Sequence, residues 1–321
     1  MKNNKNNSLE GFHNEKKKDN LKTIQLTKCN LKMIKTINFH KDIVYSATVF
    51  PSGNIISVSK DCSIIIHDIN YNMLQYIQNA HNNLITYVEV KDDNNFVTCS
   101  FDRSIKTWIK YENKFIINKI IVGAHNAQIN KVIYFFNDLI SCSCDNDRTV
   151  KIWQEMSNNY QLISSLKHDY NIWSILFLKD KNILVSSGEG GTNLWNIKNL
   201  TLIKNFSQIK CRLWNAICRL DNERIIIGGG YSFGIISLST KIVLKEIQIP
   251  FVCLGIKTIE EKGIFFIGGE SKNIFIYRND NYKCIETIYN AHDDDIDGFI
   301  MLKNNLIASY SMDSKIKIWS F

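Results

Sequence analysis

The sequence predicts an all-β protein: a seven-bladed β-propeller in which an N-terminal outer strand, at about residues 32–39, completes the last blade. Three observations carry this. Seven times a small or polar turn residue stands six positions before the last large residue of an apolar run: Asp61 and His67, Asp102 and Trp108, Asp147 and Trp153, Glu189 and Trp195, Ser232 and Leu238, Ser271 and Tyr277, Asp313 and Trp319. These closing residues recur every 39 to 45 positions, the period of a four-stranded blade. The seventh unit stops at Phe321, directly after its third strand, while 33–40 (Met-Ile-Lys-Thr-Ile-Asn-Phe-His) reads like 284–292, which lead from one outer strand into the next unit. A strand borrowed from the N-terminal run leaves the ring without an open end.

Within one unit, apolar runs at 85–90, 96–100 and 104–109 read as three strands separated by turns, and 115–122 supplies a fourth. The order recurs around 129–166 and 172–207. The glycines of 188–191 and 228–230 fall between strands. They open no helix and lack the Lys-Ser/Thr ending of a phosphate loop, so they read as tight bends.

With 45% apolar residues and only Pro51 and Pro250 as prolines, one closed array over 23–321 uses nearly the whole chain. Residues 1–22, rich in Asn and Lys and containing Lys16, Lys17 and Lys18, read as a disordered, solvated tail that carries part of the +8 net charge. No apolar run is long enough to span a bilayer, and the N-terminus has no signal-peptide core. The nine cysteines form no C-x-x-C pair. Cys62, Cys99, Cys142, Cys144, Cys218 and Cys253 are expected in strands as small apolar residues, which excludes a metal site and points to a reducing compartment, the cytoplasm or nucleus. No cofactor is implied.

The units resemble WD40 repeats, in which a His precedes the first strand, Ser-x-Asp forms the turn and Trp closes the third strand. His81, Ser100, Asp102 and Trp108 match, as do His292, Ser311, Asp313 and Trp319, and His125, Asp147 and Trp153 with a turn two residues longer. The first unit has His40, Ser59 and Asp61 but His67 for the Trp. The fourth has His168, Ser187 and Trp195 with Glu189 for the Asp, and the fifth and sixth lack the His and carry Gly230 and Gly269 at the Ser position. The resemblance implies that these polar residues form a hydrogen-bond network inside each blade. A His–Asp pair can be half of a catalytic triad, but a constellation repeated in parallel units serves structure better than chemistry. The missing network of units five and six predicts lower local stability there.

The resemblance also implies docking on the face around the central channel, through two positions per repeat. The first series reads Tyr45, Thr86, Asn130, Trp173, Trp214, Cys253 and Asp297; the second Lys60, Phe101, Asn146, Gly188, Tyr231, Glu270 and Met312. Tyr45, Phe101, Trp173, Trp214, Tyr231 and Met312 supply aromatic or thioether surface, and Lys60, Arg212, Asp295 and Asp297 a charged rim, a mixture suited to a peptide with basic and apolar groups. The expected function is a noncatalytic scaffold binding proteins or peptides. A ubiquitin-ligase substrate adaptor is an alternative, resting on Trp195-Asn-Ile-Lys198, and an RNA or ribonucleoprotein subunit is another, resting on net charge; nucleic acid is not favoured.

Overall fold

A computed structural model of the chain describes residues 28–143, 147–212 and 215–321. The basic tail, Cys144, Asn146 and Trp214 lie outside the described residues.

Seven four-stranded antiparallel sheets follow one another around a ring. In blade 1, running outward from the centre, the strands are Val44–Val49, Ile55–Ser59, Ile64–His67 and Met73–Ile77. Blade 2 is Ile85–Asp92, Asn95–Ser100, Ile105–Tyr111 and Lys114–Ile121. Blade 3 is Ile129–Phe135, Asp138–Ser143, Thr149–Glu155 and Tyr160–Lys167, and blade 4 is Ile172–Leu178, Ile183–Gly188, Gly191–Asn196 and Thr201–Phe206. Blade 5 is Ile217–Arg219, Arg224–Gly229, Ser232–Ser237 and Val243–Gln248; blade 6 is Cys253–Ile259, Ile264–Gly269, Ser271–Arg278 and Cys284–Ile288. Blade 7 supplies only Ile296–Met301, Ile307–Ser311 and Ile316–Ser320 from its own stretch, and its outer strand is Lys32–Ile37, with Met33 opposite Trp319 and Ile37 opposite Ile316.

The second strands are almost wholly buried because both faces meet a neighbouring blade, and they read as continuous Ile, Val, Phe and small residues, as in Ile225–Ile226–Ile227. The outer strands alternate and leave Leu74, Ile117 and Ile163 in solvent. The inner strands of all seven blades surround a central cavity of about 390 Å³. Its wall includes Tyr87, Glu89, Lys131 and Lys257. Burial pushes the Glu89 carboxyl up, against the pull of Lys131 and Lys257. The Lys131 ammonium lies 4.6 Å from the Tyr87 ring centre and 3.3 Å from Ser174 Oγ.

Every blade carries a register shift between its third and outer strands at one place: His67, Trp108, Trp153, Trp195, Ile236, Tyr277 and Trp319. One extra outer-strand residue at each shift bends the blade edge and increases its twist. This shift marks the closing position better than residue size does, and it corrects blade 5. Ile236 pairs with Ile225 as Trp108 pairs with Phe96, so Leu238 lies two residues beyond the closing position. The hairpin before Ile236 is one residue shorter than in blade 2, which displaced the sequence register.

The turns between second and third strands explain a further difference. Cys62 belongs to such a turn, not a strand, and has φ 65°; Arg103, Arg148 and Ser314, at the same place after the turn Asp, have φ 67°, 46° and 66°. In blade 4 the turn shortens to Gly188–Gly191, with Gly191 at φ 130°, a conformation open to glycine at little cost. A Cβ on Gly190 would collide with the Tyr170 ring.

A candidate docking face at the channel mouth

The polar residues that hold each blade together come first, because they decide which side chains remain for a partner. In blade 2 the Trp108 Nε1–H donates to Thr98 Oγ1 (2.9 Å), Thr98 Oγ1 bonds His81 Nε2 (2.8 Å), and His81 Nδ1 meets Asp102 Oδ2 (3.0 Å). Asp102 Oδ1 accepts from the Ser104 amide and hydroxyl (2.9 and 2.6 Å), and Oδ2 also accepts from the Asn82 amide (2.9 Å). An acceptor at Nδ1 and a hydroxyl at Nε2 suit a neutral imidazole with its proton on Nδ1. The same chain runs through His125, Ser141 and Trp153 to Asp147, and through His292, Ser309 and Trp319 to Asp313.

The bridging hydroxyl is therefore Thr98 or Ser309, not the turn serines Ser100 and Ser311. Ser100 Oγ donates to the Asn83 carbonyl and accepts from the Asp102 amide, while Ser311 Oγ donates to the Asp295 carbonyl (2.7 Å) and accepts from the Asp313 amide. In blade 1 the hydroxyl is Ser57 rather than Ser59, and in blade 4 it is Ser186 rather than Ser187. Two hydroxyls alternate on one strand, as in Thr98-Cys-Ser100, and both are buried, so strand periodicity alone does not separate them. The missed signal is that Ser57, Thr98, Ser141, Ser186 and Ser309 recur at one register position.

Four blades depart from this chain. Glu189 contributes no carboxylate to His168, whose Nδ1 lies 3.2 Å from the Leu166 carbonyl. His67 sits where the others have Trp, 1% exposed, with neither ring nitrogen hydrogen-bonded among the described residues and Phe39 at 5.4 Å. In blades 5 and 6 the hydroxyl position is taken by Ile227 and Ile267 and the region packs around Phe233, Phe265 and Tyr277, with ring centres 5.3 to 5.6 Å apart. Apolar packing replaces the polar network there, which removes the physical ground for expecting a weak region, since a satisfied network and a well-packed apolar core are energetically similar.

In blades 1, 2, 6 and 7 a backbone bond stitches the turn to the loop entering the inner strand: Lys60 N–H to Ile43 O, Phe101 N–H to Leu84 O, Glu270 N–H to Val252 O and Met312 N–H to Asp295 O. The second series therefore lies at one end of the ring. Lys60 is exposed and 3.5 Å from Asp42; Tyr231 is 60% exposed; Phe101 and Met312 are half-buried. Arg212 is exposed, and Asp295 is half-buried.

The first series falls at the inner-strand register shift and is mostly internal. Thr86 Oγ1 donates to the Ile129 carbonyl and Asn130 Nδ2 to the Ile172 carbonyl, each tying a blade to the next. By the same register the blade 6 member is Leu254, not Cys253, and the blade 5 position is Asn215, next to Trp214. Asn215 Nδ2 donates to the Tyr45 carbonyl (3.1 Å), linking blades 5 and 1. Trp173 packs in part against the core of blades 4 to 6, and its buried Nε1 has no hydrogen-bond partner among the described residues. Asp297, expected on the charged rim, is only 3% exposed.

Seven such sheets, joined at their inner strands and stiffened in blades 2, 3 and 7 by complete His-to-Trp chains, form a repeat propeller with the turns between second and third strands at one end. Three stretches, 31–68, 73–108 and 118–154, match the family model for the WD domain, G-beta repeat. It is similar to a bromodomain and WD repeat-containing protein of Dictyostelium discoideum, 29% identical over 141 residues, and to the nuclear distribution protein PAC1 of Candida tropicalis, 27% identical over 108 residues. Those alignments cover 39% and 33% of this chain but only 6% and 22% of the relatives. Among the described residues no helix is long and apolar enough to cross a membrane, and no three His, Cys, Asp or Glu side chains are grouped to hold a metal ion.

Thr98→Val leaves two buried ring nitrogens, on His81 and Trp108, without their partner and is expected to cost about 1–3 kcal/mol. Urea denaturation with Ser100→Ala alongside checks the assignment: a larger loss for Ser100→Ala would return the bridging role to that serine. Acid should weaken the fold in two stages. Burial holds His67 and His168 down at about 4, so the unfolded chain takes up protons near pH 6.5 that the folded chain refuses, and stability falls as pH drops from about 6.5 to about 4. For Asp313, burial alone would raise the carboxyl, but His292 and the Asp293 and Lys315 amides hold it at about 2; that contribution is lost below the ordinary carboxylate range. Urea midpoints at pH 7, 5.5 and 4.5 should decline in that order, less steeply in His67→Phe; equal midpoints would contradict the buried, neutral histidines.

Proposed function

We propose that this protein is a noncatalytic interaction scaffold that holds a segment of another protein across the channel mouth. The observation that carries the reading is the exposed Tyr231 ring in the turn between the second and third strands of blade 5, at the same end of the ring as the turns that carry Phe101, Met312 and Lys60. Aromatic and thioether groups among charged neighbours are the surface from which protein interfaces draw most of their energy. The imidazoles that would be candidates for catalysis are committed: His81, His125 and His292 are each 1% exposed and bonded at both ring nitrogens. Binding of proteins is the usual work of WD40 propellers, which supports the scaffold reading. A reducing compartment, the cytoplasm or nucleus, goes with it, in keeping with eight described cysteines that are all free.

Affinity capture from the native cell, comparing wild type with a folded Lys60→Ala, Tyr231→Ala, Met312→Ala variant, tests the reading. The expected result is the loss of specific proteins from the variant. An unchanged set of captured proteins would refute docking on this face.

A further inference from the structure

Asp297 occupies a position that in blades 2 and 3 donates a hydrogen bond to the next blade. At the inner-strand register shift, Thr86 donates to the first carbonyl of the next inner strand, and so does Asn130 (2.8 and 2.7 Å). Asp297 has the same place in blade 7, where the following inner strand begins at Val44. An ionised carboxylate has no proton to give, and Asp297 Oδ2 is buried with no hydrogen-bond partner among the described residues. Its carboxyl is raised well above the ordinary range by burial, then by Asp295 and Asp294.

Most of the titratable groups around it add to the same field. Asp295, half-buried on the loop leading into the strand, is itself raised by burial, Asp294 and Glu270, against Lys272 of blade 6. On the blade 1 side stands Tyr45, pushed up to about 12 by burial, Asp297 and Asp42. Behind is Tyr310, raised by burial and Asp297. Asp293 is already paired with Lys315, and Asp42 lies 3.5 Å from Lys60. What remains at the mouth between blades 6, 7 and 1 is Asp294, Asp295 and Glu270 with only Lys272 against them, and a buried carboxyl without a partner beneath. Burying an acid without a cation is costly unless it holds its proton or a counter-charge arrives.

Building on the scaffold reading, we propose that this mouth is a binding site for a cationic side chain of the partner, a lysine ammonium or an arginine guanidinium, held against Asp295 with Asp297 as the buried counter-charge. In the free protein the buried Asp297 carboxyl keeps its proton. When the cation arrives, that proton leaves to solvent and the carboxylate forms the pair. Binding and proton release are thus one event, and affinity rises with pH until Asp297 is ionised in the free protein as well.

The experiment titrates the full chain with N-acetyl-argininamide and N-acetyl-lysinamide, with N-acetyl-glutaminamide as the uncharged control, at pH 6 and pH 8. Asp297→Asn places in blade 7 the residue that blade 3 already has at Asn130, so it should fold with an unchanged or higher melting temperature. The wild type should bind a cationic probe more tightly at pH 8, bind the glutamine probe far less, and lose about tenfold or more in affinity in Asp297→Asn. If Asp297→Asn does not fold, Asp295→Asn takes its place with the same expected loss. No binding of either cationic probe by the wild type, or undiminished binding by the folded variant, overturns the proposal. The scaffold reading falls separately: partners still captured by Asp297→Asn but lost from the Lys60, Tyr231, Met312 variant leave the docking face standing without this site.

Discussion

Ring closure is the constraint on which the rest depends. Each blade is its own hydrogen-bonded sheet, and the inner strands meet mainly through side chains and a few bridging bonds such as that from Thr86 to Ile129. Blade 7 would be a three-stranded sheet with an open edge at Ile316–Ser320 were it not for Lys32–Ile37. Met33 opposite Trp319 forms the same bulged junction found in the other six blades, so the first strand enters the last sheet as an equal member.

Much of this was legible in the residues. Trp108, Trp153, Trp195 and Trp319 stand at a bulge where a large ring covers the blade and an indole N–H reaches a buried hydroxyl, a need only a few residue types meet. Blade 5 hid its register because Ile236 is one isoleucine among several and its hairpin is one residue shorter. The bridging hydroxyls were misplaced for a related reason, since Thr98 and Ser100 lie two apart on one buried strand face, and only their partners tell them apart.

The placement of the turn positions was legible in outline, that of the inner-strand positions less so. Turn residues such as Tyr231 and Lys60 follow directly from the hairpins. Inner-strand residues depend on a register shift that moves one side chain at a time, which is why Cys253 stood for Leu254 and why the burial of Asp297 could not be foreseen. The inner-strand positions do two kinds of work. Thr86, Asn130 and Asn215 spend their polar groups holding blades together, whereas Trp173 and Asp297 keep buried polar atoms without partners among the described residues. A ring stiffened by the first group can hold the second in place for a ligand.

Amide hydrogen exchange of the chain alone and in a partner complex isolated from the cell tests the central claim most directly. The account predicts that protection on binding concentrates in the turns around Lys60, Phe101, Tyr231 and Met312. Protection confined to the opposite end of the ring, around Phe136 and Asp180, or to the outer strands, would contradict it.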